Sequence, residues 1–164
     1  VADIQNYVNG IQISDVTPSE IKIIPTYRVF ANAKWYDWVN YYNEHSYDGY
    51  AGVDNNSITA IMIKLSQGHI RYRTSLLSGV WLDWVTDCNN DNYNGYAGIK
   101  GKPFDKIQME LIGLDDYVVE YRASNNNDIN YLPWVRNYND INCDGFAGIK
   151  GKPIDKIQIR IIHK

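Results

Sequence analysis

Cysteine, histidine, basic charge and long apolar runs are all scarce in this 164-residue chain, and each scarcity excludes something. There are two cysteines, Cys88 and Cys143. They do not occupy corresponding places in the internal repeat, so their pairing stays open and no redox compartment follows. The three histidines, His45, His69 and His163, also fall outside any repeated position. No His-Glu-x-x-His motif and no nucleophile elbow is present, which argues against a metalloprotease or an α/β hydrolase. Paired carboxylates occur at Asp115-Asp116, where a turn explains them better than glycosidase chemistry does. The net charge is -3, against the basic stripe that a nucleic-acid partner favours. No apolar run approaches the length of a membrane span. No signal peptide is recognisable, and the opening at Val1 fits a mature form or a piece of a longer protein.

What the chain has instead is tyrosine and tryptophan, 14 and 5 of them against 3 phenylalanines. Both join an apolar ring to a polar handle and suit surfaces that are half wet. They recur with a period. The segments 51–65, 97–111 and 147–161 read AGVDNNSITAIMIKL, AGIKGKPFDKIQMEL and AGIKGKPIDKIQIRI. Upstream, Trp38 to Gly49, Trp84 to Gly95 and Trp134 to Gly145 are each 11 residues apart. A fixed period of this size marks a repeat architecture. We divide the single domain 1–164 into a half-repeat, 1–25, and three units, 26–69, 70–116 and 117–164.

The units read as β. Ile61, Ile63 and Leu65 alternate with Met62 and Lys64, and 107–111 and 157–161 repeat the alternation, as a half-buried strand requires. Each unit opens with another strand, near 27–30, 70–73 and 118–122. Gly101-Lys102-Pro103 and Gly151-Lys152-Pro153 read as turns. In the half-repeat, Gly10-Ile11-Gln12 and Ile21-Lys22-Ile23 match the end of a unit. The fold class is therefore all-β with pseudo-threefold symmetry. A β-prism suits it best, because the half-repeat could supply a strand that completes the last sheet. A β-trefoil is the alternative.

In a continuous strand, residues three apart face opposite ways, so the two aromatics of each Trp-x-x-Trp separate. Tyr36 with Trp38, Leu82 with Trp84 and Leu132 with Trp134 form an apolar face that reads as core. Trp35, Asp37 and Val39, then Trp81, Asp83 and Val85, then Tyr131, Pro133 and Val135 read as the outer face. A flat ring beside a carboxylate suits a sugar, and shielding of a sheet is the plainer reading. Before each Gly lies an alternating polar run: Glu44, Ser46, Asp48; Asn90, Asn92, Asn94; Asp140, Asn142, Asp144. The third opens like a calcium loop, with Asp140, Asn142 and Asp144 as oxygen ligands for Ca2+, although Gly151 stands where a closing carboxylate belongs. The plainer reading is a self-capping turn. Asp48, Asn94 and Asp144 could instead bond sugar hydroxyls beside Tyr50, Tyr96 and Phe146. Lys100, Lys102, Lys150 and Lys152 could meet anionic polymers or simply be solvated.

Tyr27-Arg28, Trp35-Tyr36-Asp37-Trp38-Val39, Ala51-Gly52 and Ala60-Ile61-Met62-Ile63-Lys64-Leu65 together resemble the clostridial hydrophobic repeat with a conserved tryptophan (a ChW-like repeat). The resemblance spans nearly the whole chain, with Tyr131 replacing the first Trp in the third unit. It implies a secreted or cell-surface protein that binds a surface glycan or cell-wall polysaccharide. Three similar sites suit a multivalent, lectin-like binder better than an enzyme. The alternatives are a protein-interaction or adhesion module that docks a neighbouring domain or partner protein, or the receptor-binding part of a larger toxin or lytic enzyme.

Overall fold

The structure is a computed structural model that describes residues 7–8, 11–12, 21–40, 42, 49–88, 95–138 and 145–164. It is all-β. Two short strands, β1 (Tyr7–Val8) and β2 (Ile11–Gln12), pair with each other. The first segment then supplies β3 (Pro25–Ala31), β4 (Lys34–Trp35), β5 (Val39–Asn40), β6 (Ala51–Gly52) and β7 (Ala60–Leu65). The second supplies β8 (His69–Leu76), β9 (Val85–Thr86), β10 (Ala97–Gly98) and β11 (Phe104–Ile112). The third supplies β12 (Tyr117–Asn125), β13 (Val135–Arg136), β14 (Ala147–Gly148) and β15 (Ile154–His163).

Each segment pairs its two long strands antiparallel: β3 with β7, β8 with β11, and β12 with β15. The Ala-Gly strands cross over to a neighbour. β10 pairs with β7, β14 with β11, and β6 with β15. The three larger sheets are thus each built from two segments, and none is closed.

Period two explains which side chains enter the core. In β3, Tyr27, Val29 and Ala31 are buried while Thr26, Arg28 and Phe30 are half-buried. Tyr27 and Val29 form one cluster with Ile61, Ile63, Ile107, Met109, Ile157, Ile159, Tyr72 and Tyr121. Each such aliphatic side chain contributes about 1.5–3 kcal/mol when fully buried. Ile58, Phe104 and Ile154, at corresponding positions, are all fully buried. Ile58 donates its N–H to the Ile154 carbonyl at 2.8 Å and accepts from Phe104 N–H at 3.4 Å.

Two expectations are corrected. Among the described residues the half-repeat adds no strand to the last sheet, where β6 from the first segment pairs with β15. Residues 21–24 form no strand; Ile24 is held instead by Ser66 through two hydrogen bonds. The Trp-x-x-Trp stretch is also not one strand. Residues 36–38 are irregular between β4 and β5, so alternation does not carry across. Trp38, Trp84 and Trp134 are therefore half-buried outside the core, while Val39, Val85 and Val135 pack against it.

Candidate functional site

The motif Gly-(Tyr/Phe)-Ala-Gly positions the candidate site one residue at a time. The first Gly is anchored by its carbonyl: Gly145 accepts from the buried Tyr121 hydroxyl at 3.0 Å, and Gly49 from the Gln158 amide at 3.2 Å. The aromatic residue, Tyr50, Tyr96 or Phe146, is half-buried. Ala51, Ala97 and Ala147 enter the core. Gly52, Gly98 and Gly148 adopt φ of 118°, 114° and 117°. A Cβ at these three would overlap the backbone carbonyl oxygens of Asp155, Thr59 and Asp105, respectively. Only glycine fits both the conformation and the approach.

Three buried tyrosines reinforce the same junctions. The Tyr72 hydroxyl accepts from Ile63 N–H at 3.0 Å, that of Tyr121 from Met109 N–H at 3.1 Å, and that of Tyr27 from Ile159 N–H at 3.2 Å. Each bond links one segment to another. Burial pushes all three phenols well above their ordinary range, so they stay neutral.

The motif aromatics meet the first aromatic of another segment's Trp-x-x-Trp. Trp35 lies edge-on to Tyr96 at 5.7 Å, and Trp81 to Phe146 at 6.5 Å. Tyr131 sits near Tyr27 and Tyr50; burial raises its phenol and those two neighbours push it further. An ammonium caps each cluster. Lys100 lies 5.6 Å from the Trp35 ring and 5.3 Å from that of Tyr96. Lys106 lies 5.5 Å from the Trp81 ring and 5.6 Å from that of Phe146. Lys156 lies 5.8 Å from the Tyr131 ring and forms an ion pair with Asp54.

Behind each cluster an arginine bridges the two aromatics of the stretch. Arg28 lies 5.1 and 4.6 Å from the rings of Trp35 and Trp38. Arg73 lies 4.9 and 4.5 Å from Trp81 and Trp84, and Arg122 4.7 and 4.5 Å from Tyr131 and Trp134. Gln108 and Gln158 fix the second and third guanidiniums, accepting at 2.8 and 2.7 Å; Met62 takes that place beside Arg28. The second Trp of each stretch carries another cation: Lys64 at 4.6 Å, Arg71 at 4.3 Å or Arg160 at 3.9 Å. Such contacts contribute ~0.5–2 kcal/mol each, depending on desolvation. The second tryptophans are thus clamps between cations.

The cross-strand neighbours vary in charge. Arg71 faces Glu110, Glu120 faces Arg160, and Thr26 faces Lys64. Glu120, 4% exposed, is satisfied by Arg160 at 2.6 Å and Arg136 at 2.5 Å. Among paired charges, a buried one needs such neighbours to offset desolvation.

Of the sequence-selected residues, Trp35 with Tyr96 and Trp81 with Phe146 come together, and Tyr131 falls beside Tyr50. Asp37 and Asp83 are exposed nearby in the chain. Asp48, Asn94 and Asp144, the proposed calcium ligands Asp140, Asn142 and Asp144, and Cys143 lie outside the described residues. Cys88 carries a free thiol, pushed up chiefly by burial. Sequence reasoning missed the arginines Arg28, Arg73 and Arg122 and the lysines Lys106 and Lys156. The available signal was an Arg directly after the strand Tyr in every unit: Tyr27-Arg28, Tyr72-Arg73 and Tyr121-Arg122. Among the described residues, no helix is long and apolar enough to cross a membrane. Comparisons with family models, with curated proteins and with solved structures return no match.

Proposed function

We propose that this chain is a non-catalytic, lectin-like module with β-prism-like pseudo-threefold form that binds glycan at three related junctions. One observation carries the reading: an aromatic from one segment, an aromatic from another and a lysine recur together at Trp35/Tyr96/Lys100 and Trp81/Phe146/Lys106, with Tyr131/Lys156 as the third. Aromatic rings pack on the apolar face of a pyranose, and flexible lysine and carboxylate groups at the rim bond its hydroxyls. A lysine lying over a ring is displaced more readily than a core side chain. A secreted or cell-surface location, and a parent toxin or lytic enzyme, accord with this reading.

The test is a screen of glycans and cell-wall fragments on the intact chain, with calcium and with chelator. Binding that falls in Trp35→Ala and Trp81→Ala supports the module, and loss in chelator makes 140–144 a calcium site. A screen without binding contradicts it.

A second reading is a protein-interaction module. Val53, Ile99 and Ile149 follow the close-approach glycines at corresponding positions and are all exposed, as is Ile129 at 82%. A self-associating or partner-bound chain that loses the interaction on Ile99→Ser and Ile149→Ser favours this alternative.

A further inference from the structure

The three junctions differ in charge at two positions. Resting on the glycan reading, we infer that the junction of the second and third segments is selective for sugars bearing a carboxylate, whereas that of the third and first takes neutral sugars. The first position lies three residues before the central apolar residue of each long strand: Ala60, Lys106 and Lys156 pair with, or next to, Gly98, Gly148 and Gly52. The second lies two residues after each of those glycines: Lys100, Lys150 and Asp54.

At the third–first junction the two positions cancel. Lys156 is 6% exposed and paired with Asp54, so its charge is spent inside the protein. At the second–third junction the Asp54 position is held by Lys150, which is exposed. Lys106 is half-buried over Trp81 and Phe146 and has no carboxylate partner among the described residues. Arg73 lies under the same Trp81 ring. An aromatic floor with Lys106 over it, and Lys150 two residues beyond the glycine that Lys106 pairs with, can accept a pyranose face and a carboxylate together. Charge-assisted bonds to that carboxylate are stronger than neutral ones and fix its orientation. The first–second junction has a single such lysine, Lys100, because Ala60 carries no charge. Differential affinity would then come from an attractive pair at one junction and an internally neutralised pair at another.

The experiment is calorimetric titration of the intact chain with oligogalacturonate and oligoglucuronate, each against its neutral counterpart, oligogalactose and oligoglucose. The expected result is at least about ten-fold tighter binding of an acidic oligomer. Lys106→Gln with Lys150→Gln should lose that margin. Asp54→Lys should add a second acidic site, seen as a rise in stoichiometry, with Asp54→Asn as the milder variant should Lys156 fail to tolerate a neighbouring ammonium. Equal affinity for acidic and neutral oligomers overturns the inference and leaves the glycan reading standing. An acidic preference untouched by the Lys106/Lys150 change overturns it too. Binding of neither class overturns both.

Discussion

At the junction of the second and third segments, Tyr138 packs on Trp84 at 4.9 Å and accepts from the Arg71 guanidinium at 3.0 Å. Asp105 reaches across to accept from Gly151 N–H at 2.6 Å. The junction of the third and first segments matches it: Tyr42 packs on Trp134 at 5.0 Å and accepts from Arg160 at 2.8 Å, while Asp155 accepts from Asn55 N–H at 2.8 Å. At the junction of the first and second segments, neither clasp occurs among the described residues. Cys88 stands four residues after Trp84, where Tyr42 follows Trp38 and Tyr138 follows Trp134, and Thr59 stands in place of the aspartate. Yet the strand pair, the tyrosine bond and the close glycine are kept at all three. Backbone-level contacts therefore carry the fold. The side chains around them are free to diverge, and that divergence is where ligand preference can lie.

Removing a shared element should cost most. Gly98→Ala forces a Cβ into the Thr59 carbonyl at a positive φ and should cost about 3 kcal/mol or more. Gly101, at φ 91° with open space around it, isolates the conformational part, and its alanine variant should cost about 1 kcal/mol. Urea denaturation of both variants separates overlap from strain. Equal losses would remove the close-approach argument.

Next in size is Tyr72→Phe. It leaves Ile63 N–H without its acceptor and the Asp87 carbonyl without a 2.7 Å donor, at the junction that lacks the other clasps. The expected loss is about 1–3 kcal/mol, read from the same denaturation curves. Tyr121→Phe, at a clasped junction, should cost the same for the bond itself but leave the segments less prone to separate. Hydrogen exchange of Ile63 and Met109 would show the difference.

A gain should come from mending the weak junction. Cys88 lies close enough to Lys64 and Arg28 to feel their charge, so a ring there would meet the Trp38 stack. Cys88→Tyr should add about 0.5–1.5 kcal/mol through the aromatic pair. A lower melting temperature would show that the position does not correspond to Tyr138.

The smallest effect is a pH dependence confined to one clasp. Burial raises the Asp155 carboxyl above its usual range; Asn55 N–H, Lys156 and Ser124 pull it down and Asp54 pushes it up. Because the folded pKa is the higher, the folded chain binds the proton more readily in the window just above the ordinary carboxylate value. Stability from this group is then greatest at the acid end and falls as pH rises through the folded pKa. Relative to Asp155→Asn, the wild type should gain ground as pH drops from neutral into that window. Melting curves of both proteins across that range check the sign.

The long strands were legible because period two survives in every unit, and Trp35, Trp81, Tyr96 and Phe146 were legible one by one as candidates. That Trp35 meets Tyr96 and Trp81 meets Phe146 across neighbouring segments was not, because which strand an Ala-Gly pair joins is a non-local choice with no local sequence signal. The second tryptophans were misplaced for a local reason. Alternation was carried through 36–38, where the chain is irregular; Pro133, in the middle of the third stretch, was the warning. The core prefers the small Val39, Val85 and Val135, and the large rings are left to the arginines.

The most direct measurement is a titration of the intact chain with the best glycan from the screen, followed by the same titration on Trp35→Ala, Trp81→Ala and Tyr131→Ala. The account predicts that each junction binding that glycan loses its equivalent with its own aromatic and folding retained, so an acidic glycan loses its site in Trp81→Ala. Binding indifferent to all three substitutions would contradict it.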